Sequence, residues 1–431
     1  MNSPQMKVAR STPLGGKWVC CTPALPANLN GEGFRRIMLL LFAMCYLLGC
    51  EQPAMTGDGS HSESASGAST STTASRDWRY WPFSQSSPWN QPLGSAARYA
   101  SVPGLSSLPS GLNYNGAWTS SIVIAGDTDP SARILFNPPT GAQSNWTFLA
   151  DGGKTCGNSS SQDSQLISTA SSTLPFPANY YSTLATPNTN LWVLPTTYQA
   201  ASLNYQSTAY LPAGACPSPD NDAMMAVFQP NGFVLDTYNT VVTGSGVIVT
   251  SMASYIDAKG DGTGASSNGR RASMLPSFAG LIRDGEISSG LIPHALAAMA
   301  PQSILEDSAV WPAAAFDRSN HYGGTLPMGS LLAIPAAINL NTLGLSPQGL
   351  TMAHAAQNYG VYVVDSDGSG FTFLAELGDP EIRWPGTATT PPWWRDIEII
   401  LANLQLVTNN SATTPGGGGT PRAPLAPGFS N

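Results

Sequence analysis

The stretch 223–250, AMMAVFQPNGFVLDTYNTVVTGSGVIVT, contains three runs rich in β-branched and aromatic residues, 223–229, 232–238 and 241–250. Turn residues separate them. Pro230-Asn231-Gly232 favours a tight hairpin turn, because Asn and Gly accept the positive φ values that such a turn needs. We therefore predict a mainly β fold, an antiparallel β-sandwich or jelly roll with a few short helices.

Further elements are predicted outward from this hairpin. Helices are predicted over 348–359, where Ser346 is the N-cap and Pro347 the first helical residue, over a short turn at 283–288, and over 393–404. Other strand-like runs are 121–125, 133–136, 146–149, 190–194 and 360–365.

Charged residues are few, and the net charge is negative. Charged residues make up 10% of the 431 residues, against 43 Gly and 36 Pro, which favours strands and turns over helices with charged faces. The chain has 18 basic and 26 acidic residues, of which five and one precede Cys50, so the part after Cys50 carries a net charge of −12. This balance argues against a nucleic-acid partner.

Residues 35–50, RRIMLLLFAMCYLLGC, have the basic start and short apolar run of a secretory signal, too short to span a bilayer. Leu47-Leu48-Gly49-Cys50 resembles the bacterial lipobox, which implies export and lipidation of Cys50, hence an anchor in the outer membrane or at the cell surface. The alternatives are an ordinary signal peptide or a buried helix that ends in Gly-Cys.

Four segments are predicted on this basis. Residues 1–49 are an N-terminal extension with the signal peptide, and 50–76 a flexible Ser/Thr/Gly tether. Residues 77–407 form one large β-rich domain, to which the Trp- and Pro-rich stretch 77–92 is clamped as an N-terminal arm, and 408–431 form a disordered Pro/Gly-rich tail.

Two cysteines lie in the predicted domain. Cys156 and Cys216 are expected to form a disulfide in an oxidising compartment, the alternative being two buried thiols.

Three phrases resemble those of a family of secreted bacterial proteins of uncertain function. They are Ser87-Pro88-Trp89-Asn90, residues 280–296 (GLIRDGEISSGLIPHAL) and residues 359–365 (YGVYVVD). The resemblance implies an exported, glycan-directed protein and transfers no catalytic residue.

The candidate catalytic residues are Asp222, His294 and Asp365. His294 stands among apolar residues, where a nearby carboxylate would set its pKa; a hydrogen-bonded core histidine is the alternative. Asp220, Asp222 and Asp236 bracket the hairpin, and glycoside hydrolysis needs two carboxylates, about 5–5.5 Å or about 6.5–9.5 Å apart. Asp365 precedes Ser366-Asp367-Gly368, a partial calcium-loop pattern or a plain turn.

Arg283, Glu286, Trp89 and Asn90 are candidate substrate-binding residues, with a solvated Arg283–Glu286 pair as the alternative. No metal site or cofactor is predicted, and the alternative is a calcium ion at the Asp365 loop. The sequence thus indicates a lipoprotein that cleaves extracellular polysaccharide by acid/base catalysis, as a hydrolase or a lyase. The competing hypothesis is a non-catalytic surface module that binds glycan or protein.

Overall fold

Strands dominate the part of the chain that the computed structural model describes, which comprises residues 75–113, 119–137, 145–170, 206–220, 222–317, 322–378 and 394–430. The strands are β1 (Ser75–Arg76), β2 (Tyr99–Ala100), β3 (Ser110–Asn113), β4 (Ser121–Ile124), β5 (Ser131–Phe136), β6 (Thr208–Tyr210), β7 (Met225–Phe228), β8 (Phe233–Val242), β9 (Ile248–Asp257), β10 (Leu296–Pro301), β11 (Leu305–Ala309), β12 (Leu326–Met328), β13 (Leu331–Ala333), β14 (Val361–Asp367), β15 (Phe371–Leu374), β16 (Gln405–Val407) and β17 (Gly428–Phe429). The helices are α1 (Asn145–Ala150), α2 (Ser160–Thr169), α3 (Gly264–Ser267), α4 (Glu286–Ser289), α5 (Pro347–Asn358) and α6 (Trp394–Asn403), with 3₁₀ turns at Leu105–Ser107, Leu340–Thr342 and Pro415–Gly417.

The predicted hairpin is confirmed. Strands β7 and β8 pair antiparallel, and the Gly232 amide, at φ +89°, donates a hydrogen bond to the Gln229 carbonyl at 3.1 Å. Strand β8 runs on to Val242, past the break expected after Tyr238, because Asn239 tolerates a positive φ of 54° inside the strand.

Two sheets carry most of the strands. Sheet I has seven strands in the order β2-β16-β13-β14-β10-β15-β3, and sheet II has six in the order β4-β7-β8-β9-β5-β6. The prediction of antiparallel pairing holds only in part, because β10 with β14, β15 with β3, β4 with β7 and β5 with β9 are parallel. These parallel partners are far apart in the sequence, so turn signals between neighbouring runs did not reveal them.

Sheet I has two apolar faces. Tyr362 and Val364 of β14 belong to a buried cluster that also contains Phe228 and Val234 of sheet II. The alternate residues of β14 lie in a second cluster, with Met352 of α5 and Ile397 of α6. Sheet I therefore packs against sheet II on one side and against these helices on the other.

Helix predictions are confirmed at three places. Helix α5 begins as predicted: the Ser346 hydroxyl accepts the Gly349 amide at 3.1 Å, and Pro347 is the first helical residue. Helix α6 forms within 393–404, and the short α4 overlaps 283–288.

The strand predicted at 146–149 is wrong, since Asn145–Ala150 is helix α1. A run of four residues, of which three are apolar, is too short for periodicity to distinguish strand from helix. The Asn145 side chain fixes the start of this helix on sheet II by donating to the Asn239 carbonyl at 2.8 Å and the Val249 carbonyl at 3.0 Å. The strand predicted at 190–194 lies outside the described residues.

The disulfide between Cys156 and Cys216 is present, with the two Cα atoms 5.7 Å apart. It links the loop before α2 to the loop before β7. The N-terminal arm is also clamped as predicted: Phe83 is 1% exposed and stacks on Phe278, with ring centroids 5.4 Å apart.

The C-terminal tail differs from the disordered segment that was expected. Strand β17 pairs with β1, so the domain extends over Ser75–Ser430 among the described residues. The glycines at 416–419 all have positive φ, and they pack closely: a Cβ at Gly94 would lie 1.8 Å from the Gly418 carbonyl oxygen. The glycine run thus permits close approach of backbones.

We expect Gly94→Ala to destabilise the protein by about 1–3 kcal/mol, since the added methyl group overpacks against the tail backbone. Thermal unfolding and limited proteolysis of the tail measure the effect. Gly428→Ala is the matched control, because a Cβ there meets nothing within 4 Å. Equal melting temperatures and equal tail cleavage for both variants would show that the tail does not contribute to stability.

Candidate functional site

Carboxylates from both sheets converge on one buried arginine. Arg271 lies in the loop after α3 with an exposed fraction of 0%, and one of its terminal nitrogens donates to the Ser277 carbonyl at 2.9 Å. Burial lowers the pKa of Arg271, and the charges of Asp365, Asp236, Asp222 and Asp220 act in the opposite direction. Arg271 is therefore a shared counter-charge for carboxylates on different sheets.

Asp222 lies just before β7, and its carbonyl accepts the Asn239 amide at 2.6 Å. The Tyr238 hydroxyl donates to Oδ1 of Asp222 at 2.8 Å. Burial raises the pKa of Tyr238 well above its usual value, and the charges of Asp222, Asp365 and Asp220 raise it further. The phenol is thus a fixed hydrogen-bond donor between carboxylates.

Asp220 adds a second carboxyl group beside Asp222. Its Oδ1 accepts the Ala223 amide at 2.8 Å and the Ser218 hydroxyl at 3.2 Å. Burial raises the pKa of Asp220 to about 6, with the nearby charge of Asp222 acting in the same direction.

Asp365 reaches this region through a bulge in β14. The pairing with β10 passes from Val363–Ala298 to Asp365–Met299, so one extra residue of β14 is accommodated there. Met299 belongs to the cluster between the sheets, and paired residues point to the same face, so the bulge turns Asp365 toward sheet II. Regular alternation would have placed it on the helix side with Val361 and Val363.

A second acid, Asp317, lies near Asp365 and acts on it through its charge. The Ser366 hydroxyl donates to Oδ2 of Asp317 at 2.9 Å, and the Tyr322 hydroxyl donates to Oδ1 of the same residue. Burial and the Asp317 charge raise the pKa of Asp365 to about 7, although Arg271 opposes them. Burial also raises the pKa of Asp317. We call Asp220, Asp222, Tyr238, Asp317, Tyr322 and Asp365 the acid cluster.

Asp236, in β8, binds the segment that carries Arg271. Its exposed fraction is 0%, and its Oδ2 accepts the amides of Ser277 at 3.0 Å and of Arg270 at 3.3 Å. Burial raises the pKa of Asp236. These bonds hold the segment that carries Arg271 against β8.

His294 lies at the opposite end of sheet I from Asp365. Leu296 opens β10 beside Val361, whereas Asp365 pairs with Met299, so His294 and Met299 are five residues or about 16 Å apart along the strand. Of the three predicted catalytic residues, Asp222 and Asp365 both act through their charges on Tyr238 and Arg271, and His294 lies elsewhere.

The His294 side chain has a carboxylate and a carbonyl as partners. It is 6% exposed, with Nε2 3.0 Å from Oε1 of Glu286 and Nδ1 2.9 Å from the Ala295 carbonyl oxygen. Burial acts to lower the pKa of His294, but the charge and hydrogen bond of Glu286 outweigh it, so the pKa is raised. A ring that faces two acceptors donates from both nitrogens as the imidazolium.

Arg283 completes this group. Its Nε donates to Oε2 of Glu376 at 2.8 Å, and its backbone amide donates to Oε2 of Glu286 at 2.8 Å. Two cations thus alternate with two carboxylates in what we call the His294 network. Arg283 and Glu286 pair with these partners, and the solvated pair expected as the alternative does not form.

Trp89 and Asn90 are buried, and their polar atoms bind other groups of the protein. Trp89 is 1% exposed, its indole N–H donates to the Gly262 carbonyl at 2.9 Å, and its ring meets Tyr362 edge-on. The Asn90 amide nitrogen donates to three carbonyls of the arm, and its oxygen accepts the indole N–H of Trp81 at 2.8 Å. Trp89 holds the arm on the domain, and Asn90 fixes the conformation of the arm itself.

The partial calcium-loop pattern forms strand and turn: Asp367 ends β14 and accepts the Thr372 hydroxyl at 2.5 Å. Across the described residues, no group of three or more His, Cys, Asp or Glu side chains could hold a metal ion. In the same residues, no helix is long and apolar enough to cross a membrane.

A cleft of about 470 Å³ lies away from both groups, between the loops at 130–132, 211–215 and 242–246. Backbone and small side chains line it, and no titratable residue does. Its size alone therefore does not make it a catalytic site.

Sequence reasoning missed Asp317 and Tyr322 and did not single out Tyr238. Asp317 lies in a loop 48 residues before Asp365, and no spacing rule links the two. Comparisons supply no further guide: no family model, curated protein or solved structure matches this chain.

We expect the His294–Glu286 pair to make stability depend on pH. Because the folded pKa of His294 is raised, the stabilisation is complete below the unfolded value of about 6.5 and is lost as pH rises through the folded pKa. The melting temperature of wild type should therefore exceed that of His294→Gln by an amount that shrinks as pH rises.

His354→Gln is the control, since His354 is exposed on α5. A difference between wild type and His294→Gln that stays constant from about pH 5 to about pH 9 would contradict the imidazolium assignment.

Proposed function

We propose that this protein is an exported enzyme that cleaves glycosidic bonds of extracellular polysaccharide by acid/base catalysis at the acid cluster. One observation carries the proposal: the Tyr238 hydroxyl donates to Asp222 at 2.8 Å, and the charges of Asp222 and of Asp365, which comes from the other sheet, both act on Tyr238 and on the buried Arg271. Glycoside hydrolysis requires two carboxyl groups whose environments differ enough for one to keep its proton.

The two carboxyl groups have distinct environments. With a pKa of about 7, Asp365 retains a proton near neutrality and suits the general acid. Asp222 accepts the Tyr238 hydroxyl and lies in the field of Arg271, both of which stabilise an ionised carboxylate. It suits the base or nucleophile.

The same geometry disfavours a lyase. A lyase needs a base and an accessible cation for the sugar carboxylate, but Tyr238 holds its proton tightly and Arg271 is fully buried. His294 is packed at the other end of the sheet. The partly exposed charges of the acid cluster are carboxylates, which repel an anionic polymer. The cluster therefore fits hydrolysis of a neutral or cationic glycan.

A non-catalytic surface module that binds glycan or protein is the second candidate, and the packed His294 favours it. The raised pKa values of Asp220, Asp317 and Asp365 within one cluster favour the enzyme, because such shifts are typical of catalytic groups.

The proposal also covers location and architecture. The lipobox-like residues 47–50 support a lipid anchor at Cys50 in the outer membrane or at the cell surface. The shared apolar cluster between sheets I and II supports a β-sandwich description.

We expect purified protein to release new reducing ends from a neutral polysaccharide without generating unsaturated sugars. Asp365→Asn and Asp222→Asn should each lower the rate by about 10²–10⁴-fold, since the first removes the general acid and the second removes the base or nucleophile. Reducing-end and ultraviolet assays across neutral, cationic and uronic-acid polymers measure both products.

Asp284→Asn is the matched control, because Asp284 is exposed near the His294 network. Unsaturated products that persist in both cluster variants would establish a lyase. No cleavage across the panel by folded protein would favour the binding module.

Activity should fall as pH rises through about 7, because the general acid Asp365 then loses its proton. Asp317→Asn removes a charge that raises the Asp365 pKa, so the alkaline limb of the kcat/KM profile should move to lower pH. A limb that is unchanged in Asp317→Asn would exclude Asp365 as the titrating acid.

A further inference from the structure

The short stretch 216–220, CPSPD, joins the disulfide to the acid cluster, because it begins at Cys216 and ends at Asp220. Each proline fixes its own φ angle, and each also restricts the residue before it. Few backbone angles can therefore change between the two ends of the stretch. The position of the disulfide is transmitted along it to a carboxyl group of the cluster.

The other half of the disulfide is fixed to sheet II. The amide of Val242, the last residue of β8, donates to the Thr155 carbonyl at 2.8 Å, and Cys156 forms an isolated bridge with Val242. The Thr155 hydroxyl also donates to the Pro217 carbonyl at 3.4 Å and lies 3.6 Å from Sγ of Cys216. The disulfide thus ties the stretch 216–220 to the end of β8.

Ser218 fixes the start of the loop that carries two acids of the cluster. It is fully buried, its amide donates to the Met224 carbonyl at 3.0 Å, and its hydroxyl oxygen accepts the Met224 amide at 2.8 Å. The same hydroxyl donates to Oδ1 of Asp220, which also accepts the Ala223 amide at 2.8 Å. The position of Asp220 therefore depends on that of Ser218, two residues after Cys216.

The far end of this loop is held by β8 directly. The Asp222 carbonyl accepts the Asn239 amide at 2.6 Å, and the Ala223 carbonyl accepts the Thr240 amide at 3.1 Å. The loop is thus fixed at two ends, one of which depends on the disulfide. Loss of the disulfide weakens that end, and the two carboxyl groups then move relative to each other.

The disulfide is accessible to a reductant. Both cysteines are partly exposed, and Cys156 lines the cleft of about 470 Å³ together with Gly157 and Ala215. A dithiol transfers two electrons and two protons to the disulfide, which becomes two thiols, and is itself oxidised to a disulfide. The state of this bond therefore follows the redox conditions around the protein.

We propose that the Cys156–Cys216 disulfide positions Asp220 and Asp222 for catalysis, so that reduction of the disulfide lowers the activity. This inference rests on the proposed glycosidase function of the acid cluster. Disulfides persist outside the cytoplasm and are rare inside it, so full activity begins after export. The disulfide and Ser218 have positioning roles, since they act through the carboxyl groups.

Amide hydrogen exchange of the full chain tests the positioning without any substrate. Treatment with a dithiol should speed exchange at Ala223 and Met224 by about tenfold or more, since their bonds to Asp220 and Ser218 then open more often. Exchange at Gly232, in the hairpin turn, should stay the same. Equal exchange at Ala223 and Met224 in the oxidised and reduced protein would overturn the inference.

Ser218→Ala tests the route from the disulfide to the loop, because it leaves the disulfide in place. This variant should speed exchange at Met224, and a dithiol should then add little, since both changes act through the same contact. A full additional effect of the dithiol would contradict this route. The control is the protein with both Cys156→Ser and Cys216→Ser, which should behave like reduced wild type and not respond to a dithiol.

Release of reducing ends is then compared between the oxidised and reduced protein, at a temperature where both are folded. Reduction should lower kcat by about tenfold with little change in KM, because the carboxyl groups are displaced from the reacting bond, and reoxidation should restore it. An unchanged kcat together with faster exchange would overturn the catalytic role of the disulfide. Absence of cleavage by the oxidised protein would remove the proposed function, and the exchange rates would still decide whether the disulfide holds the loop.

Discussion

The guanidinium of Arg271 is fully buried and interacts electrostatically with carboxylates from both sheets. An isolated buried charge is costly, and the nearby carboxylates offset part of that cost. They come from sheet II through Asp236, Asp222 and Asp220 and from sheet I through Asp365. Neither sheet alone supplies all of these carboxylates. The acid cluster therefore depends on the packing of the two sheets against each other.

The surroundings of Arg271 show how its charge is accommodated. The cluster of buried apolar residues between the sheets includes Phe228, Phe278 and Tyr362, and the buried polar residues Asp236 and Ser277 lie beside Arg271. Burial there raises the pKa of Asp365, while the positive charge limits the shift. A carboxyl group that titrates near neutrality is thus a consequence of placing several acids and one cation at the edge of an apolar interface.

Local sequence signals predicted the elements that depend on near neighbours. The turn at Asn231-Gly232, the cap and proline of α5, and the cysteine pair are each decided within a few residues or by elimination. The C-terminal glycine run was misjudged, because its glycines serve close contact with Gly94 and Ala97, which are more than 300 residues away in sequence. Composition does not distinguish a flexible glycine run from a packed one.

The site was predictable only in its members that stand at strand ends. Asp222 and Asp365 were selected because each adjoins an apolar run, yet nothing in the spacing shows that a bulge turns Asp365 toward sheet II. Asp317 and Tyr322 lie outside the strands and helices, and they carry no periodic signal. His294 was selected for its apolar context, and that same context reflects a buried ion pair with Glu286.

The His294 network and the acid cluster respond in opposite ways to ionisation. Ionisation stabilises the folded state in the first and destabilises it in the second. In the His294 network, cations and carboxylates alternate, so ionisation strengthens the contacts that hold α4 to the start of β10. In the acid cluster, the carboxyl groups outnumber the cation, so ionisation of Asp365 costs folding free energy as pH rises. A balanced network is what structural stability requires, and an unbalanced one is what proton transfer requires. The balance of charges, more than the identity of the residues, therefore distinguishes the His294 network from the acid cluster, to which we assign the catalysis.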